Sequence, residues 1–343
     1  MSLRFSDDVD AEDLRGVVRD FLSRTDGDTW RQLALELGVA ALDVPEEAGG
    51  AGASFREVAV VAGELGRSLA RSPWFATSVL AIGALLAVDG QARDELLTRL
   101  TANATTATLA YASGTVTATE DESGWRLSGE ELLVVDGATA EVVVVAARTG
   151  ERVGLFSVDG GAIVRERTRA MDPNRDLATL RFDHSAATLI AADASDALES
   201  VRTRALAALA SEQTGGAAVA MEMSCDYART RVQFGRPIAT FQSVKHRCAD
   251  MAVQVESARS AARWAAAAIA ENVPDAAEAA AAAAIVCGEA YAWVAAETVQ
   301  VHGGIGFTWE HPAHLHVRRA ATSRVLFGQP HEHRERLLTA LGV

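Results

Sequence analysis

From residue 197 to residue 323, apolar residues recur at helical spacing through four long stretches, roughly 197–233, 241–271, 275–302 and 310–323; a shorter stretch ends near Leu341. Successive segments of that length commit this part of the chain to a helical bundle. Small residues dominate their apolar faces, among them Ala205, Ala208, Ala217, Ala220, Ala281 and Ala284. Such faces let helices approach closely, within one chain or between subunits.

The remainder divides in two. Residues 10 to 100 also show helical spacing, through Leu14, Val17, Val18 and Phe21, then Leu33 to Leu37, Val58 to Leu69 and Val79 to Val88. Within them, Val44 to Gly52 packs one proline and three glycines into a sharp connection. From Thr105 to Ile190 short β-branched runs take over: Thr115–Thr119, Leu132–Val135, Val142–Ala147 and Val153–Val158, separated by glycine-bearing turns at the spacing of antiparallel meanders. A mainly α protein with a small β domain is expected, partitioned as an N-terminal helical domain (1–101), a central β domain (102–193) and a C-terminal four-helix bundle (194–343). The 343 residues exceed what one core usually supports, which agrees with several units.

Charge narrows the partners. A formal net charge of −14 opposes binding to a phosphate backbone, so nucleic acid is not expected. Asp7, Asp8, Asp10, Glu12 and Asp13 make the start unlike a signal or transit peptide, so a cytoplasmic location is expected. The alanine-rich run Ala276–Cys287 is short and flanked by acids, and no membrane insertion is expected. Cys225, Cys248 and Cys287 lie in apolar helical segments without metal-ligand spacing and read as reduced core thiols.

Two segments carry chemistry. In Arg231-Val-Gln-Phe234-Gly235-Arg236-Pro237, followed by Phe241-Gln242, a helix ends and the chain is reset for the next. Arg231 there either complements the helix macrodipole or offers a forked guanidinium to a phosphate. In Gln300-Val-His302-Gly303-Gly304-Ile305-Gly306 the glycines follow a helix rather than a strand, so they are no Rossmann fingerprint. They either cap the helix or expose main chain to an anion.

Together these segments resemble the acyl-CoA dehydrogenase family, as do Val44-Pro45-Glu46-Glu47-x-Gly49-Gly50-x-Gly52 and Gly124-Trp125-x-Leu-x-Gly129. The resemblance implies FAD extended across a subunit interface, with Arg231, Phe234, Gln242, Gln300, Gly303 and Gly304 as cofactor contacts. It implies α,β-dehydrogenation of an acyl-CoA thioester to a 2-enoyl-CoA, with electrons passed to an electron-transfer flavoprotein.

The chain also departs from that pattern. The family's base is a glutamate, but Phe327 precedes Gly328 at one usual position and Ala205 falls near the other; the catalytic residue is unassigned. Glu212 reads as a helix or interface residue. The family's Thr-Glu-Pro and Gly-Ser segment has no counterpart between Ala110 and Thr119, which bears on flavin retention by the chain alone. These gaps resemble the degenerate subunit of actinobacterial heteromeric, steroid-type acyl-CoA dehydrogenases, in which a complete second subunit supplies the base, as in a heterotetramer. A homo-oligomer, a noncatalytic structural subunit and a flavin monooxygenase on the same scaffold are the alternatives. His311, His314, His316, His331 and His333 lack companions for a metal sphere, so no metal is expected. Arg318 and Arg319 read as helix-face or interface charges, and Trp309 as a packing anchor, with a place in a substrate cavity as the alternative.

Overall fold

The computed structural model describes residues 9–25, 30–112 and 114–342; Asp7 and Asp8 of the acidic start lie outside them. Helix α1 (Val9–Arg24) is followed by short helical turns through Ala48, and then by α2 (Phe55–Ser68). A π-helical segment, Phe75–Ala81, runs into α3 (Ile82–Leu86), and α4 spans Gln91–Asn103. Strands β1 (Ala107–Ala110), β2 (Thr117–Asp121), β3 (Gly124–Val135), β4 (Val142–Thr149), β5 (Arg152–Asp159), β6 (Val164–Thr168) and β7 (Leu177–Ala191) form one sheet. The long helices come next: α5 (Ser195–Thr230), the hairpin β8 (Val232–Gln233) and β9 (Arg236–Pro237), α6 (Gln242–Ala270), α7 (Ala276–His302), α8 (Ala313–Ser323) and α9 (Pro330–Ala340).

These elements fall into two compact units, where the sequence divides the chain into three regions. One, the bundle unit, gathers Met1–Thr25, Phe55–Ala70 and Leu206–Val343; the other, the sheet unit, gathers Asp26–Ser54 and Arg71–Ala205. Within the sheet unit the strand order is β1-β4-β2-β3-β7-β5, with β4 also paired to β5, so the ladder returns on itself. This corrects the simple meander: β1 and β2 run parallel to β4, and the antiparallel partner of β3 is β7, far along the chain. Turn residues report only the neighbouring strand, whereas closing the ladder satisfies edges that would otherwise stay open. Val116, Leu127, Val143, Val145, Phe156 and Leu180 fill its interior, and Trp125 lies 5.2 Å from the ring of Phe156.

In the bundle unit the small residues do what their spacing implies. A Cβ on Gly215 would collide with the carbonyl of Gly63, and one on Gly66 with that of Glu212, so α2 and α5 meet backbone to backbone. Ala217, Ala220, Met251, Val255, Tyr291 and Val294 form the core between α5, α6 and α7. By length and composition, Ala276–Phe307 would reach across a bilayer, because the helix continues through Glu289 and Glu297 beyond the run ending at Cys287. Ala279, Ala280, Ala283, Cys287 and Tyr291 are buried within the unit.

The thiols also need correcting. Cys287 alone is buried, its thiol donating to the carbonyl of Ala258 at 3.3 Å and pushed up to about 12 by burial. Cys225 and Cys248 are half-buried, because they lie near the bundle's end where fewer helices overlap.

Candidate functional site

The C-terminus of α5, the N-terminus of α6 and the C-terminus of α7 meet at one end of the bundle. Antiparallel connections dictate this, and side chains fix it: the Tyr227 ring stacks on His302 at 4.4 Å, Arg247 ion-pairs with Glu297, and the Thr298 hydroxyl donates to the Ala220 carbonyl at 3.1 Å. All six residues expected to contact a cofactor lie at this end, and each is exposed.

Arg231 follows the last turn of α5. Its N–H donates to the Tyr227 carbonyl at 2.8 Å and its own carbonyl accepts from Ile238 at 2.8 Å, which fixes the chain where it leaves the helix. Its guanidinium has no hydrogen-bond or ion-pair partner among the described residues. Phe234, 90% exposed, sits at the tip of the β8–β9 hairpin with φ +52°, and Gly235 follows at φ +77°. Its ring meets Phe241 edge-on at 6.0 Å, and the Arg236 guanidinium lies 4.3 Å from the centre of the Phe241 ring. Gln242 opens α6 beside that pair.

At the end of α7 the structure resolves the glycine ambiguity for one atom. The Gly303 N–H donates to the carbonyls of Val299 and Gln300, so it caps the helix. Gly303 has φ +63° and ψ −139°, a conformation that favours glycine, and no atom lies within 4 Å of where a Cβ would stand on either Gly303 or Gly304. What this pair presents outward is a surface without side chains. Ile305, Phe307 and Trp309 continue it, the last two 72% and 74% exposed.

Next to Gly303, His302 is buried between Tyr227 and His311, whose ring lies 4.2 Å away. Its Nδ1 is 2.7 Å from the Thr298 carbonyl and therefore donates, and its Nε2 is buried without a partner among the described residues. Burial holds the imidazole below its ordinary pKa and keeps it neutral. Sequence reasoning passed over Tyr227, Arg236 and His302. The signal for Tyr227 was its place one turn before Arg231, and for His302 its place directly before Gly303.

A guanidinium, an exposed aromatic ring, two amides and a bare glycine surface fit one wall of a diphosphate-bearing dinucleotide site. Arg supplies the forked donor, the amides hydrogen-bond, and the ring offers a stacking face. Enclosed sites usually bury about 70–90% of a ligand. Six exposed residues at a bundle end make one side of such a site.

The positions around the missing base are filled differently. Phe327 is half-buried with φ +66°, ahead of Gly328 at φ +130°. Ala205 is buried in the sheet unit, and its neighbour Arg204 ion-pairs with Asp43 and donates to the carbonyls of Ser78 and Val79, each at 3.1 Å. Glu212 is 5% exposed and accepts from Arg319 at 3.0 Å. Arg319 is thus a buried partner rather than a helix-face or interface charge, because α8 turns it inward toward α5. Trp309 is corrected too: at 74% exposure, with Arg318 5.0 Å from its ring centre, it lies on the surface and is no anchor of the core. His316 is buried against the Tyr291 hydroxyl at 2.9 Å, while His314 packs on Trp309 at 4.5 Å. Among the described residues, no three His, Cys, Asp or Glu side chains converge as metal ligands.

Comparisons with known proteins agree with this architecture. The N-terminal domain model of acyl-CoA dehydrogenases matches residues 10–103 and the C-terminal domain model residues 176–341. Acyl-CoA dehydrogenase IpdE2 of Mycobacterium tuberculosis is 36% identical over 321 residues, covering 91% of this chain and 86% of that relative. Among solved structures, a variant of the Tcur3481-Tcur3483 steroid ACAD is 29% identical with a TM-score of 0.85, covering 97% of this chain and 98% of that one. The ChsE4-ChsE5 complex from Mycobacterium tuberculosis is 27% identical with a TM-score of 0.86, covering 99% of each chain. With helices, sheet and bundle end all in agreement over nearly the whole length, the chain belongs to the acyl-CoA dehydrogenase family.

Proposed function

We propose that this chain is the incomplete subunit of a heteromeric, steroid-type acyl-CoA dehydrogenase acting in the cytoplasm, and that its bundle end completes a FAD site carried mainly by a second, catalytic subunit. The observation that carries this reading is the exposure of Arg231, Phe234, Gln242, Gln300, Gly303 and Gly304 together at one end of the bundle. When bound, FAD supplies the electron acceptor for α,β-dehydrogenation of an acyl-CoA thioester to a 2-enoyl-CoA. This chain's part is to bind and orient. The Arg231 guanidinium neutralises diphosphate charge, Gln242 and Gln300 fix its register, and the bare surface at Gly303 and Gly304 admits it closely.

The base comes from the second subunit. Abstracting an α-proton needs a carboxylate facing the substrate, and Glu212, about two turns beyond the family's position on α5, is buried in an ion pair with Arg319. The similarity to the Tcur3481-Tcur3483 steroid ACAD and to the ChsE4-ChsE5 complex supports the division of labour. Electrons would leave to an electron-transfer flavoprotein.

Co-expression with a second acyl-CoA dehydrogenase subunit is the test. The expected result is a yellow, active complex, with this chain colourless when purified alone. Stoichiometric FAD and normal acyl-CoA oxidation by the isolated chain would overturn the proposal.

A further inference from the structure

The bundle brings two of the three cysteines together. On α5, Thr214, Ala218, Met221 and Cys225 are spaced by four, three and four residues, and on α6 Cys248, Met251, Val255 and Ala258 by three, four and three. Such spacing keeps each set on one helix face. Ala218, Met251 and Val255 share one core cluster with Met221 packed against it, so the two faces meet.

Their register is fixed deeper in the bundle by Cys287 of α7. Its sulfur lies 3.5 Å from the Thr214 hydroxyl and its thiol donates to the Ala258 carbonyl at 3.3 Å, which puts Thr214 and Ala258 at one level. From there α5 runs eleven residues on to Cys225 and α6 runs ten back to Cys248, rises of about 16.5 and 15 Å. The helices are antiparallel, so the two cysteines also reach one level, and their thiols hydrogen-bond to each other. Cys287, about 15 Å deeper along the helices, is beyond bridging distance of either. Both thiols of the pair are half-buried and reduced in the structure. Burial foremost, then the adjoining Cys225, pushes the Cys248 thiol up to about 11 against the pull of the Arg229 and Arg247 guanidiniums. Little of Cys248 is thiolate near neutrality, so it reacts slowly there and faster in alkali.

We propose that Cys225 and Cys248 form a redox modification site, which a peroxide closes into a disulfide between α5 and α6. Two S–H bonds break and one S–S bond forms, and the two protons and two electrons released reduce hydrogen peroxide to two waters. A thiol reductant reverses the step by exchange. The closed loop contains the β8–β9 hairpin, so the bond staples the helix ends beside Arg231 and Gln242. It forms whether or not that end holds FAD.

The test treats the full-length chain with hydrogen peroxide, counts thiols after denaturation and maps linked peptides by mass spectrometry without reduction. Two thiols per chain should be lost, with Cys225 joined to Cys248, Cys287 still free and the chain lighter by two hydrogens. The reaction should quicken as pH rises. The linked chain should melt about 3–6 °C higher, because the bond constrains the unfolded state, and dithiothreitol should remove the shift. Cys225→Ser or Cys248→Ser should abolish both the link and the shift. Retention of all three thiols, separate oxidation of the two cysteines to sulfinic acids, or links formed only between chains would overturn the proposal.

Discussion

One helix, α5, carries two kinds of polar residue, and they are used in contrasting ways. Midway along it, Glu212 is buried and bonded to Arg319, a residue 107 positions away. At its end, Arg231 projects from the surface beside Phe234. The same contrast holds along α7, where Tyr291 is closed against His316 in the middle and Gln300 and Gly303 are exposed at the end. The interior polar groups satisfy one another because an unpaired buried charge is costly. The end groups are left for another molecule. Middle residues therefore govern folding, and on the proposed function the end residues govern assembly and cofactor.

The largest effect that separates the two sets is expected from Arg319→Ala. It strands the Glu212 carboxylate in the core, at a cost of about 3–5 kcal/mol. Chemical denaturation would measure this, and a loss below about 1 kcal/mol would show that the pair is not held as described.

A smaller effect comes from pH. Burial foremost, then the Arg319 charge, lowers the His316 pKa to about 3. The unfolded imidazole titrates near 6.5, so the folded state refuses a proton that the unfolded state accepts between those values. Stability from this group is complete above about pH 6.5 and falls as pH drops toward 3, by about 2 kcal/mol at pH 5. His316→Gln should flatten the acid limb of the stability profile by about one proton's worth of slope. An unchanged slope would place the acid sensitivity elsewhere.

The smallest effect on folding is expected at the exposed end. Trp309→Ala should change the unfolding free energy by no more than about 0.5 kcal/mol. A large loss would mean that Trp309 packs internally after all, and would blur the contrast.

Much of this division was legible before the coordinates. The helices from Ser195 onward follow apolar periodicity, and all six end residues are recognisable from motif and order. The hidden parts are those with no local sign. Helix α4 leaves little trace in the sequence because Leu96, Leu97 and Leu100 are its only large apolar residues, all within five positions. The pairing of β3 with β7 depends on closure of a ladder, which no turn announces. The bond from Glu212 to Arg319 left no periodic trace, so Arg319 read as a surface charge. The Gly303 N–H could have faced an anion or capped its helix, and only the backbone conformation decides.

The central claim is that the bundle end of this chain holds cofactor that belongs to an assembled complex. The most direct measurement is the FAD content of that complex, purified with wild-type chain and with Arg231→Ala. The account predicts that the substitution lowers FAD affinity at least about tenfold while the subunits still copurify and the variant melts as wild type does. Full flavin occupancy at equal affinity in the Arg231→Ala complex would contradict it.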